Sequence, residues 1–202
     1  MTGLHNPRDD LVRAIGEVCH IWAQIENWVE DIALQTAVLL QPKMREDEPL
    51  TILRIAMTNM EFRNKVSTAK AYLHLVNLDE SKNLYDRAEK LLNYIDNDAR
   101  VERNRYVHDT WHIYGDEIRR IKFGTKISRP KSHHRILTTA IERTYNSTNK
   151  IDEFVDNLNL VYDDLVNLYN HISWLCFSLD EESPPAHKQS LPENWSSLIH
   201  PD

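Results

Sequence analysis

Apolar residues return at helical spacing over most of the chain. Leu11, Ile15, Val18, Trp22, Ile25, Val29, Ile32 and Leu39 recur every three or four positions, the interval that puts side chains on one face of an α-helix. Asn6-Pro7 ahead of them reads as a start signal. Asn caps, Pro takes the first helical position, and Asp9 and Asp10 sit in the positive first turn. The pattern predicts a first helix of about 30 residues, closing near Gln41-Pro42. Pro49 opens a second helix through Ile52, Ile55 and Ala56. A break at Thr58-Asn59 precedes the resumed stripe Phe62, Val66, Ala69 and Leu73. Asn77 to Glu80 reads as a turn. A third helix carries Leu84, Ala88, Leu91, Leu92, Ile95, Ala99 and Val101.

The period changes after His108. Trp111, Ile113 and Tyr114, then Gly115-Asp116, then Ile118, Ile121 and Phe123, predict a short β-hairpin or an irregular arm. Arg129-Pro130 to His134 reads as loop. From about Leu137 the spacing of Ile141, Tyr145, Ile151, Phe154, Leu158, Val161, Leu165, Leu168 and Ile172 predicts a fourth long helix. The expected fold is all-α: an antiparallel bundle of four long helices, with the hairpin or irregular insertion between the third and fourth. Residues 1–180 are expected to form one domain. Residues 181–202 hold four of the eight prolines and are expected to form an extended tail.

Composition supports a folded protein. Hydrophobic residues make up 41% and charged residues 27% of the chain, too apolar for disorder. Only four glycines are present, which disfavours a fold of many tight hairpins. No leader-like segment follows Met1 and no long apolar run occurs, so a cytoplasmic protein without a membrane partner is expected. Cys19 and Cys176 both lie in apolar helical patterns and read as buried free thiols.

The net charge is −7, but its distribution is uneven. Between Arg100 and Arg135 there are ten Lys/Arg against four Asp/Glu, a local balance of +6 that leaves −13 for the rest. Such a segment either attracts a polyanion to one place on an acidic body or forms a solvated basic loop.

The basic segment contains Arg103-Asn104-Arg105-Tyr106-Val107-His108. On a helix, Asn104 and His108 share a face with Arg100, and the long Arg103 side chain can reach across. The negative end of the helix dipole favours cations there. An imidazole for proton transfer and a guanidinium for charge on phosphate suit phosphoryl chemistry without a metal. Arg105 with His112 and Arg129 with His134 satisfy a looser Arg…His spacing, but Arg-Asn with His four residues on occurs once. A plain reading of the same residues is a helix cap, with His108 on last-turn carbonyls and Asn104 on a neighbouring loop.

This stretch resembles the signature of the HEPN superfamily: Arg, four to six residues, then His, often with a polar residue directly after the Arg. The motif also lies late in the third predicted helix, ahead of an insertion and a closing helix, which is similar to that family's layout. The resemblance implies a helical bundle that dimerises as two identical copies, with the motif at the interface. It also implies a metal-independent endoribonuclease needing no cofactor, of the kind found as toxins beside antitoxin partners or as defence effectors. His108 would take a proton from a ribose 2′-OH, Arg103 would stabilise the phosphorane, and Asn104 would orient His108 or bind phosphate. Products would be a 2′,3′-cyclic phosphate and a 5′-OH. The family's other expectation is a non-catalytic RNA-binding or protein-interaction scaffold.

Around the motif, Arg100, Arg105, Arg119, Arg120 and Lys122 are candidates for binding RNA phosphates, or members of a solvated face. Tyr106 and Trp111 either close a core, the favoured reading, or stack on a splayed base. Glu26 either pairs with an arginine of the motif helix or faces solvent. Glu17-x-x-His20 has no second copy, which a di-iron bundle requires. His108 and His112 have a zinc-compatible spacing but no third ligand that sequence can place, so no metal is expected.

Overall fold

A computed structural model describes residues 6–45, 47–76, 82–115, 117–128, 135–145 and 148–178. Side chains are described for the same residues except 44–45, 47, 82–83, 122–128, 135–145 and 177–178. The expected tail at 181–202 lies outside the described residues. The described chain is mostly helical. Helix α1 spans Pro7–Leu40, followed by a 3₁₀ turn at Pro42–Arg45. Helices α2 (Asp47–Thr58) and α3 (Phe62–Leu75) are separate, as the Thr58-Asn59 break predicts. Helix α4 (Lys82–Tyr94) passes through a π-turn, Ile95–Ala99, into α5 (Arg100–His108). Strands β1 (Thr110–Tyr114), β2 (Glu117–Ser128) and β3 (Arg135–Tyr145) follow, and α6 covers Asn149–Ser178. No helix among the described residues is long and apolar enough to cross a membrane.

The start of α1 is built as its sequence dictates. Asn6 Oδ1 accepts from the Arg8 amide at 3.1 Å, and Asn6 Nδ2 donates to Asp9 at 2.8 Å. Helix α6 begins at Asn149, about twelve residues later than its apolar spacing suggests. Residues 135–145 are instead strand β3, paired antiparallel with β2 from Ile118↔Tyr145 to Ser128↔Arg135. Leu137, Ile141 and Tyr145 stand four apart, and that spacing shares a face in a strand as well as in a helix. Pairing with β2 decides between the two. The insertion is therefore a three-stranded antiparallel sheet in the order β1-β2-β3. Gly115 turns the first hairpin with φ of 59°, a left-handed conformation that favours glycine. Strand β1 pairs only with residues 117–121 of β2.

The chain divides into two compact units, Met1–His20 with Val101–Asp156, and Ile21–Arg100 with Asn157–Asp202. In the first, Leu11, Ala14, Val18, Tyr106, Ile118, Ile151, Phe154 and Val155 are buried. Tyr106 meets Phe154 with ring centroids 5.2 Å apart. Arg13 pairs with Glu17 at 3.0 Å and reaches Asp152 at 3.3 Å.

In the second unit Trp22, Ile25, Ile32, Met57, Leu91, Leu92, Ile95, Leu158, Leu165, Leu168 and Ile172 are fully buried. Each such side chain contributes about 1.5–3 kcal/mol of gross apolar stabilisation. Trp22 packs edge-on against Phe62 at 5.0 Å and donates its indole N–H to Glu26 at 2.6 Å. Glu26 thus has its partner on its own helix. Lys65 Nζ lies 2.7 Å from Glu30 Oε2, both side chains only 11% exposed, while Thr58 donates to the other Glu30 oxygen at 2.8 Å. The cysteines are free. Cys176 is buried with Sγ 3.5 Å from the Gln35 carbonyl, and Cys19 is half-buried.

Candidate functional site

Helix α5 carries the Arg-Asn…His stretch, and its amphipathic logic is polar on both faces. With about 100° per residue, Glu102, Tyr106 and Asp109 fall within about 60° of arc. Asn104 and His108 lie about 40° apart on the other side. Asp109 belongs to this reckoning because its amide still donates to the Arg105 carbonyl at 3.1 Å. Tyr106 is the inward anchor. It is buried against Phe154, stacks near Trp111 at 6.3 Å between centroids, and its carbonyl accepts from the Trp111 indole at 2.9 Å. Tyr106 closes a core, the favoured sequence reading, while Trp111 is half-buried beside it.

With Tyr106 turned in, His108 is exposed at the end of the helix. Among the described residues it has no hydrogen bond, ion pair or ring contact, so it does not cap the last-turn carbonyls. Asn104 is half-buried, and its Oδ1 accepts from Arg103 Nη1 at 3.0 Å. The guanidinium and amide of the motif are therefore joined, with the imidazole one turn further along the Asn104 face.

The flanking basic residues separate. Arg100 Nε is held by Asp96, at 2.8 Å to its carboxylate and 3.0 Å to its carbonyl. Arg105 Nη1 is 2.6 Å from Glu102. Arg119 binds Glu117 at 2.8 Å, and its guanidinium lies 5.0 Å from the Tyr114 ring centroid. His112 stacks on Tyr114 at 6.1 Å. The Lys122 side chain lies outside the described residues.

Arg120 departs from the expected basic face. Neighbours on a strand point to opposite sides of the sheet, so Arg119 faces out and Arg120 faces in beside Ile118. Arg120 is only 4% exposed. Its guanidinium sits 3.6 Å from Glu102 Oε1, 3.6 Å from Asp109 Oδ2 and 5.3 Å from the Tyr106 ring centroid. It belongs to the interior of its unit rather than to a phosphate-binding surface. Glu102 and Asp109 are the residues that sequence reasoning passed over. Period-two alternation from the apolar Ile118 carried the signal for Arg120, and the i, i+4, i+7 spacing from Glu102 carried it for the carboxylates.

Comparison with protein-family models, with curated proteins and with solved structures finds no match to this chain.

Proposed function

We propose that this chain is a HEPN-like endoribonuclease that cleaves RNA without a metal, acting as a homodimer of four-helix antiparallel bundles. One observation carries the reading: an exposed His108, one helical turn beyond an Asn104 amide already joined to the Arg103 guanidinium. His108 takes the proton from a ribose 2′-OH. The oxygen attacks the adjacent phosphodiester, the bond to the 5′-oxygen breaks, and a 2′,3′-cyclic phosphate and a 5′-OH result. Arg103 stabilises the pentavalent, negatively charged phosphorane. Asn104 holds that guanidinium in place. Cyclisation also needs an acid at the leaving oxygen, and a second copy of the motif supplies it. Arg105 and Arg119 exchange their glutamate partners for RNA phosphates. A toxic or defensive role, with an antitoxin partner, is consistent with such an activity.

The test is cleavage of end-labelled RNA in EDTA by the purified protein and by His108→Ala. Loss of about 10²–10⁴ in rate is expected on removing a placed acid–base group, with cyclic-phosphate ends in the wild-type products. Equal rates for the two proteins across varied RNAs reject catalysis. A second reading, an RNA-binding scaffold of the same fold, is favoured by the outward cluster of Arg119, Tyr114 and His112 on the sheet. It gives RNA retention that is indifferent to His108→Ala and lost in Arg119→Glu.

A further inference from the structure

Residues that hold a helix from behind decide where its front points. Arg120 comes from β2, and it meets Glu102 and Tyr106 on α5 and Asp109 just past the end of that helix. These three occupy one side of α5, centred about 150° around the axis from Asn104 and His108. Two of them bracket the motif in sequence: Glu102 precedes Arg103, and Asp109 follows His108. The buried guanidinium therefore touches the chain at the residues on both sides of the motif, and within it meets the inward-turned Tyr106 ring.

The geometry of the contact suits this task. A guanidinium is planar, spreads its charge, and can lie over an aromatic ring while its edge meets carboxylates. Over Tyr106 it fixes the height of α5 above the sheet. Between Glu102 and Asp109 it resists rotation of α5 about its own axis. Glu102 adds stiffness because its other oxygen is 2.6 Å from Arg105. Strand β2 is in turn fixed by β1 and β3 on its two sides at this point, through Trp111↔Arg120 and Arg120↔Arg143. The support thus stands on a paired strand, not on a loop.

We infer that Arg120 is the positioning residue of the motif: it sets the rotation of α5 and thereby the direction of Asn104 and His108. The catalytic half of this inference rests on the nuclease reading above; the positioning half does not. Misplacement of a reacting group by about 1 Å can cost on the order of 10²-fold in rate.

Arg120→Lys is the first variant, since it keeps the charge and discards the planar fork. Thermal unfolding establishes that it is folded, and carbon–proton NMR of the His108 ring reports its surroundings. The expected result is a folded protein with displaced His108 resonances, kcat lowered roughly tenfold to a hundredfold, and KM nearly unchanged. Arg54→Ala, on a surface of the other unit, keeps wild-type His108 resonances. A folded Arg120→Lys protein with wild-type His108 resonances and kcat overturns the inference, even if its melting temperature is lower. Should Arg120→Lys not fold, Asp109→Asn, nearly isosteric with the native side chain, takes the same measurements with the same two outcomes. If wild-type protein cleaves no RNA, the nuclease reading falls, and the His108 resonances alone decide the positioning.

Discussion

Among the described residues each unit buries one cation, and the two are held in opposite ways. Lys65, in the second unit, is a point charge seated 2.7 Å from one Glu30 oxygen, with Thr58 on the other. Arg120, in the first, is spread over a tyrosine ring and stands 3.6 Å from each of two carboxylates. The lysine pins a single point on α1 to a single point on α3. The arginine meets a whole helix face. A compact ammonium satisfies one strong contact, whereas a guanidinium organises several weaker ones in a plane. The difference teaches why the first arrangement suits a packed interior and the second suits support beneath a site.

The sharpest way to break the contrast is Lys65→Met. It strands the Glu30 carboxylate away from water, and a loss of about 3–5 kcal/mol is expected in urea unfolding. Combining it with Glu30→Leu should recover most of that loss, because removing both charges also removes the desolvation penalty. Recovery also depends on Thr58, whose single hydroxyl proton can turn from Glu30 to the Arg54 carbonyl at 2.9 Å.

Arg120→Met should cost less, about 1–3 kcal/mol by the same measurement. Its carboxylates are less sealed: Glu102 retains Arg105, and the Glu102 and Asp109 side chains are 29% and 16% exposed. A loss equal to that of Lys65→Met would mean that the two cations are held alike.

The smallest effect concerns Asp31, next to Glu30. Burial pushes its carboxyl up from the ordinary value, Arg54 at 3.4 Å pulls it down, and the Glu30 charge pushes it up again. A carboxyl whose folded value is raised binds its proton more tightly in the native state. Its ionisation therefore works against folding above the folded value, and the penalty vanishes as pH falls below the unfolded one. Asp31→Asn is expected to raise the melting temperature slightly at neutral pH, with the gain disappearing by about pH 3. A gain that persists in acid would mean that something other than charge is responsible. The Arg54 pair is exposed and subtracts little.

Much of this architecture was legible in the chain. The cap at Asn6, the long first helix, the break after Thr58 and the turn at Gly115 all follow from local chemistry that acts within a few residues. The strand at 135–145 was not legible, because four-residue spacing is shared by both periods and only distant pairing breaks the tie. At the candidate site, the face shared by Asn104 and His108 could be read from spacing within one helix. The support behind it could not be read as a charge count, since Arg119 and Arg120 are adjacent in sequence and opposite in space.

The sheet has an unequal outline. Strand β1 ends its pairing at Ile121, while β3 accompanies β2 to Ser128. Over residues 122–128, then, every second peptide N–H of β2 points to a side where the described chain sets no strand. Along that side the described chain presents a row of directional donors and acceptors repeating at about 6.8 Å, twice the rise per residue, which is the pitch of an extended polypeptide.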